Sequence, residues 1–150
     1  MVRRVEPADA KAWLAMRVAL WPDVPNDHER EIAEHLRARP DSSECLVAEL
    51  SRVGLVGFVE VGLRAYAEGC LSSPVGYLEG IWVDPAHRHH GTGRRLVEAA
   101  ERWAMAKGCT EMASDRLLEN EASGLFHAAV GYTEVERIVC FRRSLSVEAA

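Results

Sequence analysis

The chain predicts one α/β domain of mixed (α+β) type, a sheet with helices packed on its faces. Three observations carry this. β-rich runs and helical repeats follow one another as β-α-α-β-β-β-α-β-α-β along all 150 residues. No internal repeat, low-complexity tract or linker interrupts them, so residues 1–150 read as a single domain. A strand–helix–strand unit centred on residues 93–107 demands one parallel crossover in a sheet otherwise joined by short turns.

Each element has a local reason. Val2–Val5 opens as a strand, and Asp9 stands where a cap belongs for a helix carrying Trp13, Leu14, Val18 and Trp21 at helical spacing, ended by Pro22. Asn26 or Asp27 caps a second helix with Ile32 and Leu36 on its apolar face, stopped before Pro40. Leu46–Leu50 and Leu55–Leu63 are β-rich runs joined through Arg52-Val53-Gly54, a hairpin turn. Residues 66–74 read as a loop and Val75–Val83 as a strand. Gly93–Lys107 is an amphipathic helix with Leu96, Ala99, Ala100 and Trp103 on one face, and Gly108 sits at its C-terminal glycine position. Thr110–Asp115 predicts a strand, Asn120–Val130 a helix, and Val135–Arg142 a closing strand.

Composition narrows the function. With 23 acidic against 18 basic residues the formal charge is −5, which argues against a nucleic-acid reader and its basic stripe. The same charge suits a polycationic partner, because a carboxylate-lined cleft concentrates cations. No apolar run approaches the roughly 20 residues of a membrane helix. Met1–Pro7 holds two arginines with no apolar stretch behind them, unlike a signal peptide. Cys45, Cys70, Cys109 and Cys140 are scattered, as free thiols in a reducing compartment would be, so a cytoplasmic location is expected. His87, His89 and His90 lack Cys or carboxylate partners at ligand spacing, and no metal site is expected.

The most informative stretch is Ile81-Trp82-Val83-Asp84-Pro85-Ala86-His87-Arg88-His89-His90-Gly91-Thr92-Gly93, leading into a helix. Glycines at a helix N-terminus let backbone N–H groups approach an anion closely, and the helix dipole favours negative charge there. Arg88 adds a cation suited to phosphate oxygens. The pattern is neither a Walker loop nor the dinucleotide fingerprint, since no Lys-Ser/Thr follows Gly93 and the G-x-G-x-x-G spacing is missing.

Arg88-His89-His90-Gly91-Thr92-Gly93 resembles the R/Q-x-x-G-x-G/A signature of GNAT acetyltransferases, and Asn120, Ser123, Phe126, Gly131 and Tyr132 fall on a second motif of that superfamily. Across nearly the whole chain the sequence is similar to the aminoglycoside 6'-N-acetyltransferases, on Trp13-Leu14, Leu20-Trp21, the run Ser73–Val83, Pro85–Arg88 and Ala113-Ser114-Asp115. The resemblance implies a mostly antiparallel sheet with one parallel, splayed strand pair and about four flanking helices. It implies acetyl-CoA as donor, its pyrophosphate held by Arg88, His89, His90, Gly91, Thr92 and Gly93. The pantetheine arm would lie along the backbone of Ile81, Trp82 and Val83 and meet Asn120. It further implies direct acetyl transfer to the 6'-amine of an aminoglycoside, antibiotic resistance, and a homodimer.

The residues themselves point the same way. Glu79 shares its strand with Tyr77, Ile81 and Val83 at alternate positions, so it should sit partly buried on an apolar face and need a cationic partner. An acceptor ammonium would serve, and so would an arginine. Only a neutral amine attacks a thioester; for a lysine-like amine, shedding the proton at pH 7 costs roughly 4–5 kcal/mol. Glu79 is the candidate acceptor of that proton. Asp115, at the end of the neighbouring strand, would form with it a candidate catalytic and substrate-binding carboxylate pair, though Asp is also common as a cap or turn residue. Glu136 in the closing strand, and Trp21 and Tyr66 as ring-stacking residues, complete the expected substrate contacts; helical spacing equally makes Trp21 a core residue. His127 stands where the superfamily places its proton-donating tyrosine, so no general acid is assigned. Two alternatives remain open: acetylation of another polyamine or peptide amine, and a non-catalytic acyl-CoA or antibiotic-binding module.

Overall fold

The computed structural model describes residues 1–23 and 27–146. Its five-stranded sheet runs in chain order, β1 (Val2–Arg4), β2 (Ser43–Leu50), β3 (Gly54–Arg64), β4 (Val75–Val83) and β5 (Met112–Ser114). The first three pairings are antiparallel and β4–β5 is parallel. Four α-helices accompany the sheet: α1 (Ala10–Leu20), α2 (His28–Ala38), α3 (Thr92–Ala106) and α4 (Glu121–Ala129). The predicted mixed class and strand order therefore hold through β5 and α4.

Period-two alternation in β2 and β3 splits the core between the two faces of the sheet. On one face Leu46, Ala48, Val56, Val59 and Val61 pack against Leu96, Val97 and Ala100 of α3. Leu96 is fully buried, which stabilises the fold by about 1.5–3 kcal/mol. On the other face Val47 and Phe58 meet Trp13, Met16 and Ile32 of α1 and α2. Buried charges on this face are paired, as burial requires: Arg17 bonds Glu60 and Glu31, and Glu44 takes Arg4 and His35.

Two expectations are corrected and one is met. Asp9 precedes α1 without bonding its backbone; its carboxylate accepts the Glu6 N–H and pairs with Arg3, tying the N-terminal turn to β1. Asp27 does cap α2, accepting the Arg30 N–H at 3.0 Å, whereas Asn26 lies outside the described residues. The closing strand at Val135–Arg142 is not formed: residues 133–146 join no ladder. Val135, Ile138, Val139, Phe141 and Leu145 lie exposed there. The β-rich pattern is present, yet among the described residues no strand pairs with it.

Candidate active site

The parallel β4–β5 pair is short. Gly76, Tyr77 and Leu78 face Met112, Ala113 and Ser114, and β5 then ends while β4 continues to Val83. The backbone of residues 79–83 is thus left without a β5 neighbour, and the sheet opens a gap on that side. On its other side β4 stays paired with β3, but the register shifts between Glu60↔Gly80 and Val61↔Leu78. Glu79 is the extra residue of this β-bulge. Bulges re-aim side chains and recur beside active sites.

The bulge corrects the expected alternation. Leu78, Ile81 and Val83 all pack toward α3, while Glu79 faces the α1–α2 side. There it lines a cavity of about 550 Å³ with Trp13, Arg17, Glu31, His35 and Glu60. Its side chain is 35% exposed rather than enclosed in apolar surroundings, and its partner is Arg64, the last residue of β3. Arg64 reaches both carboxylate oxygens, with Nη2 3.0 Å from Oε2. The guanidinium centre also lies 3.4 Å from the Tyr77 ring centroid, a cation–π contact.

Asp115 follows β5 directly, and Tyr77 donates its hydroxyl to Asp115 Oδ2 at 2.6 Å. Burial, reinforced by this bond and the Asp115 charge, pushes the Tyr77 phenol well above its usual range, so it remains a donor. Arg64, Tyr77, Glu79 and Asp115 therefore form one connected group at the mouth of the gap. The sequence singled out the two carboxylates; Arg64 and Tyr77 were missed, because their roles arise from cross-strand neighbours and the bulge.

Trp21 caps the end of α1 and is half-buried against β4. A Cβ on Gly80 would come within 2.6 Å of Trp21 Cη2, so the glycine beside Glu79 exists to admit this ring. Trp21 also lies edge-on to Phe58 and stacks with His28. Its core role and its place beside Glu79 coexist. Tyr66 is exposed in the loop after β3. Glu136 lies on the unpaired C-terminal segment, not on a strand as expected. That segment passes the same loop: Val135 Cβ would lie 2.7 Å from a Cβ on Gly69.

The turn before α3 has the expected form. His89 and Gly91 both adopt left-handed backbone, with φ of 65° and 82°. Gly91 is the N-cap residue of α3 and brings no side chain to cap it. The first intrahelical bond is Arg95 N–H to Gly91 carbonyl, so the N–H groups of Thr92, Gly93 and Arg94 face outward at the positive end of a 15-residue helix. This is a backbone anion cradle. Arg88 does not reach into it here; its Nε donates to the Val83 carbonyl at 2.8 Å, bracing the turn against the end of β4. Asn120 caps α4 by accepting the Ser123 N–H at 3.1 Å.

His127 Nδ1 lies 2.6 Å from the Ser123 carbonyl, which can only accept, so the ring proton is on Nδ1. In a neutral ring Nε2 then accepts from the Ser114 hydroxyl, 2.8 Å away at the end of β5. The neutral imidazole has no proton left for a leaving group.

A parallel pair that parts beside such a cradle, with an acidic group at its mouth, is the architecture of an N-acetyltransferase. The chain matches the acetyltransferase (GNAT) family over residues 12–132 and belongs to it. Within that family it is 47% identical to the aminoglycoside N(6')-acetyltransferase type 1 of Klebsiella aerogenes, over 97% of each chain. It is 40% identical to the enzyme of that name from Stenotrophomonas maltophilia, over 99% of this chain and 95% of the relative. Among solved structures, AAC(6')-Iy in complex with the bisubstrate analogue CoA-S-monomethyl-acetylneamine superposes with a TM-score of 0.89 at 36% identity, covering 97% of this chain and 98% of the other. AAC(6')-Ih from Acinetobacter baumannii gives a TM-score of 0.90 at 33% identity, covering 97% and 99%.

Proposed function

We propose that the protein transfers the acetyl group of acetyl-CoA to the 6'-amine of aminoglycosides by direct attack, and so confers resistance to them. The observation that carries this reading is the carboxylate pair Glu79 and Asp115, on β4 and just after β5, linked through Arg64 and Tyr77. A polyamine acceptor suits two carboxylates; a neutral or anionic one does not. Similarity over nearly full length to enzymes named for this activity supports the substrate class.

In this reading the outward N–H groups of Thr92, Gly93 and Arg94 hold the donor's pyrophosphate, with Gly91 and His89 shaping the turn and His90 within it. The free β4 edge at Ile81, Trp82 and Val83 hydrogen-bonds the pantetheine arm as an added strand would, beside Asn120. Arg88 either keeps bracing β4 or turns onto the phosphates. Glu79 takes the proton of the attacking amine, and Asp115 anchors a second ammonium. Trp21 and Tyr66 border the acceptor. Direct transfer from a thioester needs no metal.

We place the enzyme in the cytoplasm, where acetyl-CoA and reduced thiols are found; among the described residues no helix is long and apolar enough to cross a membrane. We also propose a homodimer, since the exposed apolar segment from Val135 to Leu145 has strand-like composition and no partner strand of its own. Pairing with a second copy would cover it and bring Glu136 to the rim of a site.

Free-thiol release from acetyl-CoA, with tobramycin, a tobramycin lacking the 6'-amine, and spermidine, tests the activity. Turnover with the first alone is expected. Turnover with spermidine alone would transfer the reading to another polyamine, and CoA binding without thiol release would make the protein a binding module.

A further inference from the structure

Arg64 closes β3 and places its guanidinium inside the acidic group that the proposed reaction assigns to the acceptor. It bonds both oxygens of Glu79 and lies over Tyr77, whose hydroxyl holds Asp115. A carboxylate whose charge is already matched by one guanidinium attracts an incoming ammonium less strongly, and the second cation meets the repulsion of the first. Yet the pair is not locked in: the Arg64 and Glu79 side chains are 44% and 35% exposed, and ion pairs open to water are held weakly. The guanidinium lies over the Tyr77 ring and its side chain is partly open to solvent, so it can leave Glu79 without unpacking the core.

We propose that Arg64 is a displaceable counter-ion built into the acceptor site. It occupies Glu79 while no acceptor is bound, and an incoming ammonium takes its place. Free Glu79 is then only a fraction of the ensemble, and the apparent affinity of any amine that uses it is reduced by that fraction. The cost falls on acceptor binding and not on the chemical step, because the bound complex no longer contains the Arg64–Glu79 pair. This inference rests on the acetyltransferase reading above, but not on which amine is acetylated.

Steady-state kinetics of Arg64→Met and Arg64→Lys, with tobramycin and separately with spermidine as acceptor, provide the test. For Arg64→Met, acceptor KM is expected to fall about two- to fivefold, by the same factor for every amine turned over, with kcat and the acetyl-CoA KM unchanged. Arg64→Lys keeps a cation and should stay near the parent value. A rise in acceptor KM, or a fall in kcat at constant KM, would overturn the proposal and make Arg64 an attractive or positioning group. On the unmodified enzyme, the Arg64 side-chain Nε–H resonance should shift when tobramycin is titrated into the CoA complex; a resonance that stays fixed at saturation overturns displacement even if the Met variant fails to fold. If the parent enzyme acetylates spermidine and not tobramycin, the aminoglycoside reading fails while Arg64 is still judged on spermidine.

Discussion

The Tyr77 hydroxyl and Asp115 Oδ2 lie 2.6 Å apart across the parallel β4–β5 pair, at the point where the two strands part. This bond sets the position of a carboxylate that has left the sheet and has no ladder to hold it. Because burial and this bond hold the phenol well above its usual range, it stays protonated and donates at neutral pH. Tyr77→Phe keeps the ring beneath Arg64 and removes only the donor. A hydrogen bond to a charged group is worth about 1.5–3 kcal/mol, so acceptor kcat/KM should fall about 10- to 100-fold with the acetyl-CoA KM unaffected. Equal losses in both substrates would assign the bond to stability alone.

Gly80 permits the close approach of Trp21 to β4. In Gly80→Ala the new methyl would collide with the indole, and the ring must move because the strand is paired with β3. Overpacking of this kind costs about 1–3 kcal/mol. Thermal unfolding should show the loss, and acceptor KM should rise because the displaced ring lies beside Glu79. A variant with parent stability and parent KM would show that the indole has room to spare.

Much of this site was legible in the sequence because it rests on backbone. The glycine turn before α3 needs left-handed residues and an uncapped helix start, and Gly91-Thr92-Gly93 declares both. Glu79 and Asp115 were legible as carboxylates on adjoining strands. The facing of Glu79 was not, since period-two counting assumes an unbroken ladder and the bulge at this residue reverses it. Arg64 and Tyr77 escaped for a related reason: Arg64 meets Glu79 15 residues on and Tyr77 meets Asp115 38 residues on, and neither separation leaves a local pattern. The segment from Val135 to Arg142 shows the opposite failure. Its composition is that of a strand, but composition does not choose a partner: among the described residues it joins no ladder, although β5 ends the sheet with one side unpaired.

Glu79→Gln removes the proton acceptor and preserves the shape. If Glu79 deprotonates the acceptor amine, kcat should drop about 10²-fold or more near pH 7. The deficit should narrow as pH rises, because the acceptor then supplies its own neutral amine. A profile in which parent and variant differ by a constant factor at all pH values, mostly in KM, would instead make Glu79 an ammonium anchor.

Acid stability should depend on Asp9. Its carboxyl is held below the usual range, first by the Arg3 guanidinium at 2.8 Å and also by the Glu6 N–H, against a smaller opposing effect of burial. A carboxyl whose folded pKa is depressed contributes stability above its unfolded pKa, about 3.9, and that contribution is lost as pH falls from there through the folded value. Arg3 has a second partner in Glu49, so the charge is not left alone when Asp9 is neutralised. Asp9→Asn should therefore cost about 1.5–3 kcal/mol at pH 7, the worth of a hydrogen bond between charged groups. It should cost progressively less below pH 4. Urea unfolding at pH 7 and at pH 3.5 measures both. A cost that stays constant across that range would mean the Arg3–Asp9 contact stabilises by packing rather than by charge.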